Sequence, residues 1–204
     1  DGDEARRGIQ VARNAGFTNL SIDLIHGLTG QGLPSALNDV HIATTLGVQH
    51  ISTYQLTIED KTGFGRRARK GESLLVDETI LMEMFRSIRG CLNDAGFIPY
   101  EISSAAQPGF KSKHNLLYWS GGEYLALGAG AHGFRRLKSG GLRWANIRNP
   151  IRYMKGAIGR SPQVEFEDRV AADDLREELL WTGLRLDEGV LVDGDVRTHY
   201  GAAA

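Results

Sequence analysis

NAGFTNLSIDLI, residues 14–25, contains a junction that recurs along the chain. A helical pattern ends at Gly16, one apolar residue follows, and an apolar run begins at Leu20. The same arrangement returns at Leu46-Gly47-Val48 before HISTYQL (50–56), and at Ala95-Gly96-Phe97 before IPYEIS (98–103). Glycine at such a point suits the left-handed residue that closes a helix. The runs that follow are rich in apolar and aromatic residues, as strands covered by helices are. Asp3 is predicted to cap the first helix, with Ala5, Ile9 and Ala12 on its inner face. Pro34 opens the second, which buries Leu37, Val40 and Ala43. Asp77 caps the third, where Leu81, Met84, Phe85, Ile88, Leu92 and Ala95 recur at helical spacing. Helix alternating with strand predicts an α/β fold around a parallel sheet. Half of a βα barrel and a flavodoxin-like open sheet both fit, and periodicity does not choose between them.

After residue 103 the alternation stops and glycines crowd the chain from Gly121 to Gly141. Short strands are predicted at 124–127 and 142–145, then a second, helical region from Pro150. That region has a linker at Gly159–Pro162 and a helix at about 168–182 carrying Val170, Leu175, Leu179 and Leu180. The predicted domains are therefore 1–149 and a small, mainly helical module at 150–204. The Asp1-Gly2-Asp3 start and the Gly201-Ala202-Ala203-Ala204 end both read as cuts.

The chain has 24 basic and 25 acidic residues, a balance that gives no electrostatic reason to expect nucleic acid as the partner. The local run Arg66, Arg67, Arg69, Lys70 reads as a solvated helix face. No apolar run approaches the roughly 20 residues of a membrane span. Cys91 is the single cysteine, so the chain has no disulfide framework and no thiolate cage. That points to the cytoplasm, and the apolar helix pattern around Cys91 reads as a buried structural thiol.

Parallel sheets bind ligands at the C-terminal ends of their strands. Asp23 lies near such an end, before His26-Gly27-Leu28-Thr29-Gly30-Gln31, and alternation sets Ser21, Asp23 and Ile25 on one face. A carboxylate on a covered strand is costly unless it is paired or binds something. Ligand binding is the favoured reading, against a role in capping the turn. Glu101 sits similarly on the third strand, where a binding role and a salt bridge weigh equally. The densest cluster is His114-Asn115-Leu116-Leu117-Tyr118-Trp119. An imidazole, an amide and two aromatic rings suit a pocket for a flat apolar ligand, and histidine is a common haem ligand. On pattern alone, packing is the stronger reading. His132 lies in a predicted glycine-rich loop, and His41, His50 and His199 are scattered without metal-binding spacing.

IDLIHGLTGQ (22–31), HISTYQLTIE (50–59), YEIS (100–103), HNLLYW (114–119), YLALGAGAHGF (124–134) and LRLDEGV (184–190) together resemble the HemW family. These are radical-SAM haem chaperones related to oxygen-independent coproporphyrinogen III oxidase, and HNxxYW is the most specific of the motifs. The resemblance implies the C-terminal part of a radical-SAM partial (βα) barrel and a small, winged-helix-like helical module. It implies S-adenosylmethionine and a [4Fe-4S] cluster in a full-length parent, but this chain carries none of the CxxxCxxC ligands. By position, Asp23 would contact S-adenosylmethionine, His114 would ligate haem iron, and Tyr118 and Trp119 would wall the haem pocket. Delivery of haem to haem proteins is the implied function, with porphyrinogen oxidation as the alternative. Dimerisation through exposed sheet edges is expected of the isolated chain. Thr29 stands where the family usually has proline, which is expected to loosen that turn. Ser104-Ala105 and Gly133 also depart from the family pattern.

Overall fold

Apolar spacing on two helices builds the first core. The computed structural model describes residues 2–159 and 163–190, and the chain divides into two compact units, Asp1–Ser112 and Lys113–Ala204. In the first unit, α1 (Gly2–Asn14) precedes β1 (Ser21–His26), α2 (Leu33–Thr45) and β2 (His50–Gln55). Then come α3 (Gly63–Arg69), α4 (Glu78–Asp94), β3 (Ile98–Pro99) and β4 (Ser104–Ala106). Ala36, Val40 and Ala43 of α2 and Leu81, Met84, Ile88 and Leu92 of α4 pack with Val48, Ile51, Phe97 and Ala105. Each large apolar side chain sealed there contributes about 1.5–3 kcal/mol. The Asp77 carboxylate accepts from the Thr79 N–H at 2.9 Å, the predicted cap of α4. Gly16, Gly47 and Gly96 all have positive φ, as the junction pattern required. Asp3 lies within the first turn of α1 rather than capping it, and no residue of α1 is fully buried. Cys91 is half-buried against the core.

The sheet order is β1-β2-β4-β3. β1 and β2 are parallel, with Ser21 opposite His50 and Asp23 opposite Ser52. The third predicted strand does not run parallel through 98–103. β4 pairs antiparallel with both β2 and β3. Pro99 cannot donate to a ladder, and the chain reverses so that the Tyr100 N–H reaches the Ser104 carbonyl at 3.2 Å.

The second unit holds α5 (Lys113–Trp119), β5 (His132–Leu137), β6 (Gly140–Asn146), α6 (Pro150–Ile158), β7 (Val164–Ala171) and α7 (Ala172–Gly183). Its sheet is the antiparallel meander β5-β6-β7. Phe134, Val170, Leu175 and Leu179 form its core, with Tyr124 packed against them. Here the sequence reading is corrected in several places. Residues 168–171, read as the start of a helix, are the end of strand β7, which pairs with β6 across the expected 149/150 division, and the helix begins at Ala172. Of the expected strand at 124–127, only an isolated bridge between Tyr124 and Phe134 is present. His132 belongs to β5, opposite Ala145, and not to a loop. The helix at Pro150 is present, while the predicted linker at 159–162 lies mostly outside the described residues. Among the described residues, no helix is long and apolar enough to cross a membrane.

Candidate functional site

The helices of the first unit cover Ile22 and Leu24, leaving Ser21, Asp23 and Ile25 exposed on the opposite face of β1. Asp23 therefore stands in water, so the desolvation argument made from its strand does not hold. Its carboxylate is accessible to a cationic or hydroxyl-bearing ligand. The loop after it is tightly built. Gly27 has φ +75°, and the Gln31 side-chain oxygen accepts from the N–H groups of Gly27 (2.9 Å) and Leu28 (3.2 Å). The Thr29 hydroxyl donates to the Leu74 carbonyl at 2.8 Å, so the departure from proline fastens this turn where a looser one was expected.

Beside Asp23 lies a relay that the sequence did not reveal. His50 Nδ1 is 2.7 Å from the Ser21 hydroxyl, and His50 Nε2 is 2.8 Å from the Tyr100 hydroxyl. The Ser112 N–H also donates to that hydroxyl, at 3.3 Å. Burial holds the His50 imidazole below its ordinary pKa, while the charges of Asp23 and Glu101 act to raise it. Glu101 is buried, and the Arg89 guanidinium donates to its backbone carbonyl at 2.9 Å. His26, at the end of β1, is buried with Nδ1 lacking a hydrogen-bond partner, and desolvation lowers its pKa too.

In the second unit, HNLLYW forms α5. His114 and Tyr118 are four residues apart on one helix face, with ring centroids 4.7 Å apart and edge-on. Tyr118 in turn meets Tyr124 at 4.4 Å, and Tyr124 meets Phe134 at 6.1 Å. His114 is exposed at the open end of this aromatic row. Trp119, at the end of α5, has a buried indole N–H without a hydrogen-bond partner, and the Arg185 guanidinium lies 4.2 Å over its ring. Tyr118, Trp119, Tyr124, Phe134, Arg143 and Glu178 line a cavity of about 160 Å³, together with residues of α7. The Arg143 guanidinium is clamped by both oxygens of Glu178, and that hydrogen bonding raises its pKa. Burial raises the Tyr124 phenol, keeping it protonated. The structure thus brings His114, Tyr118 and Trp119 together on one helix, while Asp23 belongs to the other unit. Sequence reading missed Tyr124, Arg143 and Glu178, whose approach depends on strand pairing. Among the described residues, no cluster of three or more His, Cys, Asp or Glu is placed to hold a metal ion.

No family model matches the chain. The chain is 35% identical over 175 residues to the haem chaperone HemW of Mycobacterium tuberculosis, covering 86% of this chain and 44% of the relative. With HemW of Escherichia coli it shares 37% identity over 186 residues, 91% of this chain and 47% of the relative. Over this shared region the chain is similar to HemW-type proteins. A mouse mitochondrial protein named for its radical S-adenosyl methionine domain is 35% identical over 191 residues, 92% of this chain and 43% of that one. The chain thus spans about half the length of these relatives. Among solved structures, coproporphyrinogen III oxidase (HemN) of Escherichia coli, titled a radical-SAM enzyme, matches with a TM-score of 0.69. That match covers 98% of this chain and 48% of the other at 15% identity, a likeness of fold alone. The α/β radical-SAM fold expected of the sequence agrees with it.

Proposed function

We propose that this chain is the haem-binding part of a HemW-type chaperone, with His114 as the ligand to the iron of the haem it carries. The observation that supports this reading is an exposed imidazole braced edge-on by Tyr118, inside the motif most specific to the family. An exposed imidazole has a nitrogen accessible to iron. Tyr118 and Trp119 offer flat apolar surface beside it, and the orphaned Trp119 N–H leaves a donor for the bound molecule. Titrating haem into the chain tests the reading. His114→Ala is expected to weaken the Soret shift about tenfold or more, and an unchanged shift removes His114 from the site.

Asp23 fits S-adenosylmethionine, because its exposed carboxylate can accept from an ammonium or a ribose hydroxyl. The iron–sulfur cluster does not fit this chain: Cys91 is its only cysteine and packs against the core. Transfer of haem to haem-accepting proteins is the function proposed for a protein containing this region. Porphyrinogen oxidation has no support beyond the shared fold.

A further inference from the structure

The sheet of the first unit sets an exposed carboxylate beside a buried imidazole. In the β1–β2 register Ser21 lies opposite His50 and Asp23 opposite Ser52. Side chains two residues apart on a strand share a face, so Asp23 and His50 are diagonal neighbours on the face turned away from Ile22 and Leu24. Their exposure differs: His50 is almost sealed, while Asp23 stands in solvent. The ring is held by the Ser21 hydroxyl at Nδ1 and the Tyr100 hydroxyl at Nε2, at 2.7 and 2.8 Å. Burial disfavours a proton on it, and the carboxylates of Asp23 and Glu101 favour one. Arg89 meets the Glu101 backbone carbonyl, and Lys111 lies 5.8 Å over the Tyr100 ring.

Asp23 also borders room for a ligand. β1 is an edge strand. A cavity of about 360 Å³ follows that edge, lined by Asp23 and Ile25 from one face of β1 and by Ile22 and Leu24 from the other. This volume is within the roughly 300–1,000 Å³ of ligand pockets. The charged residues of its lining are Arg6, Asp23 and Asp39. Arg6 lies 3.6 Å from the Asp3 carboxylate, and Asp39 accepts from the neutral Gln31 amide at 3.1 Å. The balance is negative, which favours a cation with an apolar body.

We propose that Asp23 and His50 form a proton-coupled site for a cationic ligand. The carboxylate holds the cation while the ring is neutral. A proton taken up by the ring from solvent gives the carboxylate an internal counter-charge, and the cation is released. The inference rests on the reading of Asp23 as a contact to S-adenosylmethionine and adds what controls that contact. His50 acts through Asp23 and is a positioning residue. Linkage is reciprocal, so the bound cation must also make the ring harder to protonate.

The test has two arms. In the first, without ligand, the His50 ring signals are followed by NMR across pH in the unaltered chain and in Asp23→Asn. Loss of the carboxylate charge is expected to move the midpoint of the ring to lower pH; an unmoved midpoint overturns the proposal. In the second, binding of S-adenosylmethionine, whose sulfonium charge does not titrate, is measured at pH 7 and pH 5, the range in which histidine changes charge. The unaltered chain is expected to bind about fivefold or more weakly at pH 5. His50→Gln, which stays polar and takes no proton, is expected to bind about equally at both. Equal binding by the unaltered chain at the two pH values overturns the proposal, whether or not His50→Gln folds. So does a pH dependence that survives in His50→Gln, which would assign the effect to another group such as His26 or Glu101. The ligand reading is judged separately: it fails if the unaltered chain binds at neither pH, or if Asp23→Asn binds undiminished, while the His50 midpoint still judges the coupling.

Discussion

The Nε2 atom of His50 lies 2.8 Å from the Tyr100 hydroxyl, joining β2 to the residue that follows β3, with both side chains almost sealed from solvent. The other imidazole nitrogen reaches Ser21 on β1. One histidine thus ties together three segments of the sheet that carries Asp23.

This arrangement makes stability depend on pH. Burial holds the folded imidazole below its ordinary value of 6.5. Above that value neither folded nor unfolded chain is protonated there, and the full contribution is present. As pH falls below it, the unfolded chain takes up the proton first and stability declines, until the folded ring titrates as well. His26 is shifted in the same direction and adds to the effect. Urea midpoints should therefore fall between pH 7 and pH 5 by roughly the linkage of two such groups. His50→Gln is expected to flatten part of that decline; an unchanged slope would separate His50 from it.

Tyr100→Phe keeps the ring and deletes the hydroxyl that meets both His50 and the Ser112 N–H. The partner left buried is expected to cost about 1–3 kcal/mol. Chemical denaturation followed by circular dichroism measures this directly. A loss below a few tenths would mean the relay is rescued by water.

Gly133 faces Trp144 across the β5–β6 ladder, and a Cβ at Gly133 would fall within 2.2 Å of the indole. Gly133→Ala should destabilise the second unit by about 1–3 kcal/mol through overpacking. Trp144→Val should relieve it, so the double-mutant cycle is predicted to show strong positive coupling. Additive losses would contradict this steric account. Glycine at this position suits the close approach of Trp144.

Asp77→Ala removes the acceptor for the Thr79 N–H at the start of α4. A loss of about 1 kcal/mol is expected. It should appear in hydrogen exchange of the first turn of α4 before it appears elsewhere.

Local signals made much of the first unit legible. The glycine-closed helices, the Asp77 cap and the apolar stripe of α4 all follow from residues close together in sequence, and each is present. The solvated face at Arg66, Arg67 and Arg69 is likewise a helix, α3. The third strand was misread because apolar content at 98–103 says nothing about chain direction, which Pro99 and the following reversal decide. The end of β7, residues 168–171, was misread as helix because Val170 falls near the leucine spacing of α7, while the pairing of β7 with β6 is a long-range contact. The same limit governs the sites. His114 and Tyr118 share a helix face and could be read together, whereas His50 and Tyr100, 50 residues apart, could not. Asp23 was singled out from its place near a strand end, but its surroundings were misjudged: the face it occupies is bare rather than covered.

That bare face leaves residue 23 outside the selection that folding imposes. Its tie to the scaffold is the charge it sets beside buried His50 rather than core packing, so exchanging the carboxylate for an amide should perturb the scaffold only slightly. What keeps an acid at that position is then the chemistry of whatever meets it, and Asp23 can be varied as a clean probe of ligand choice.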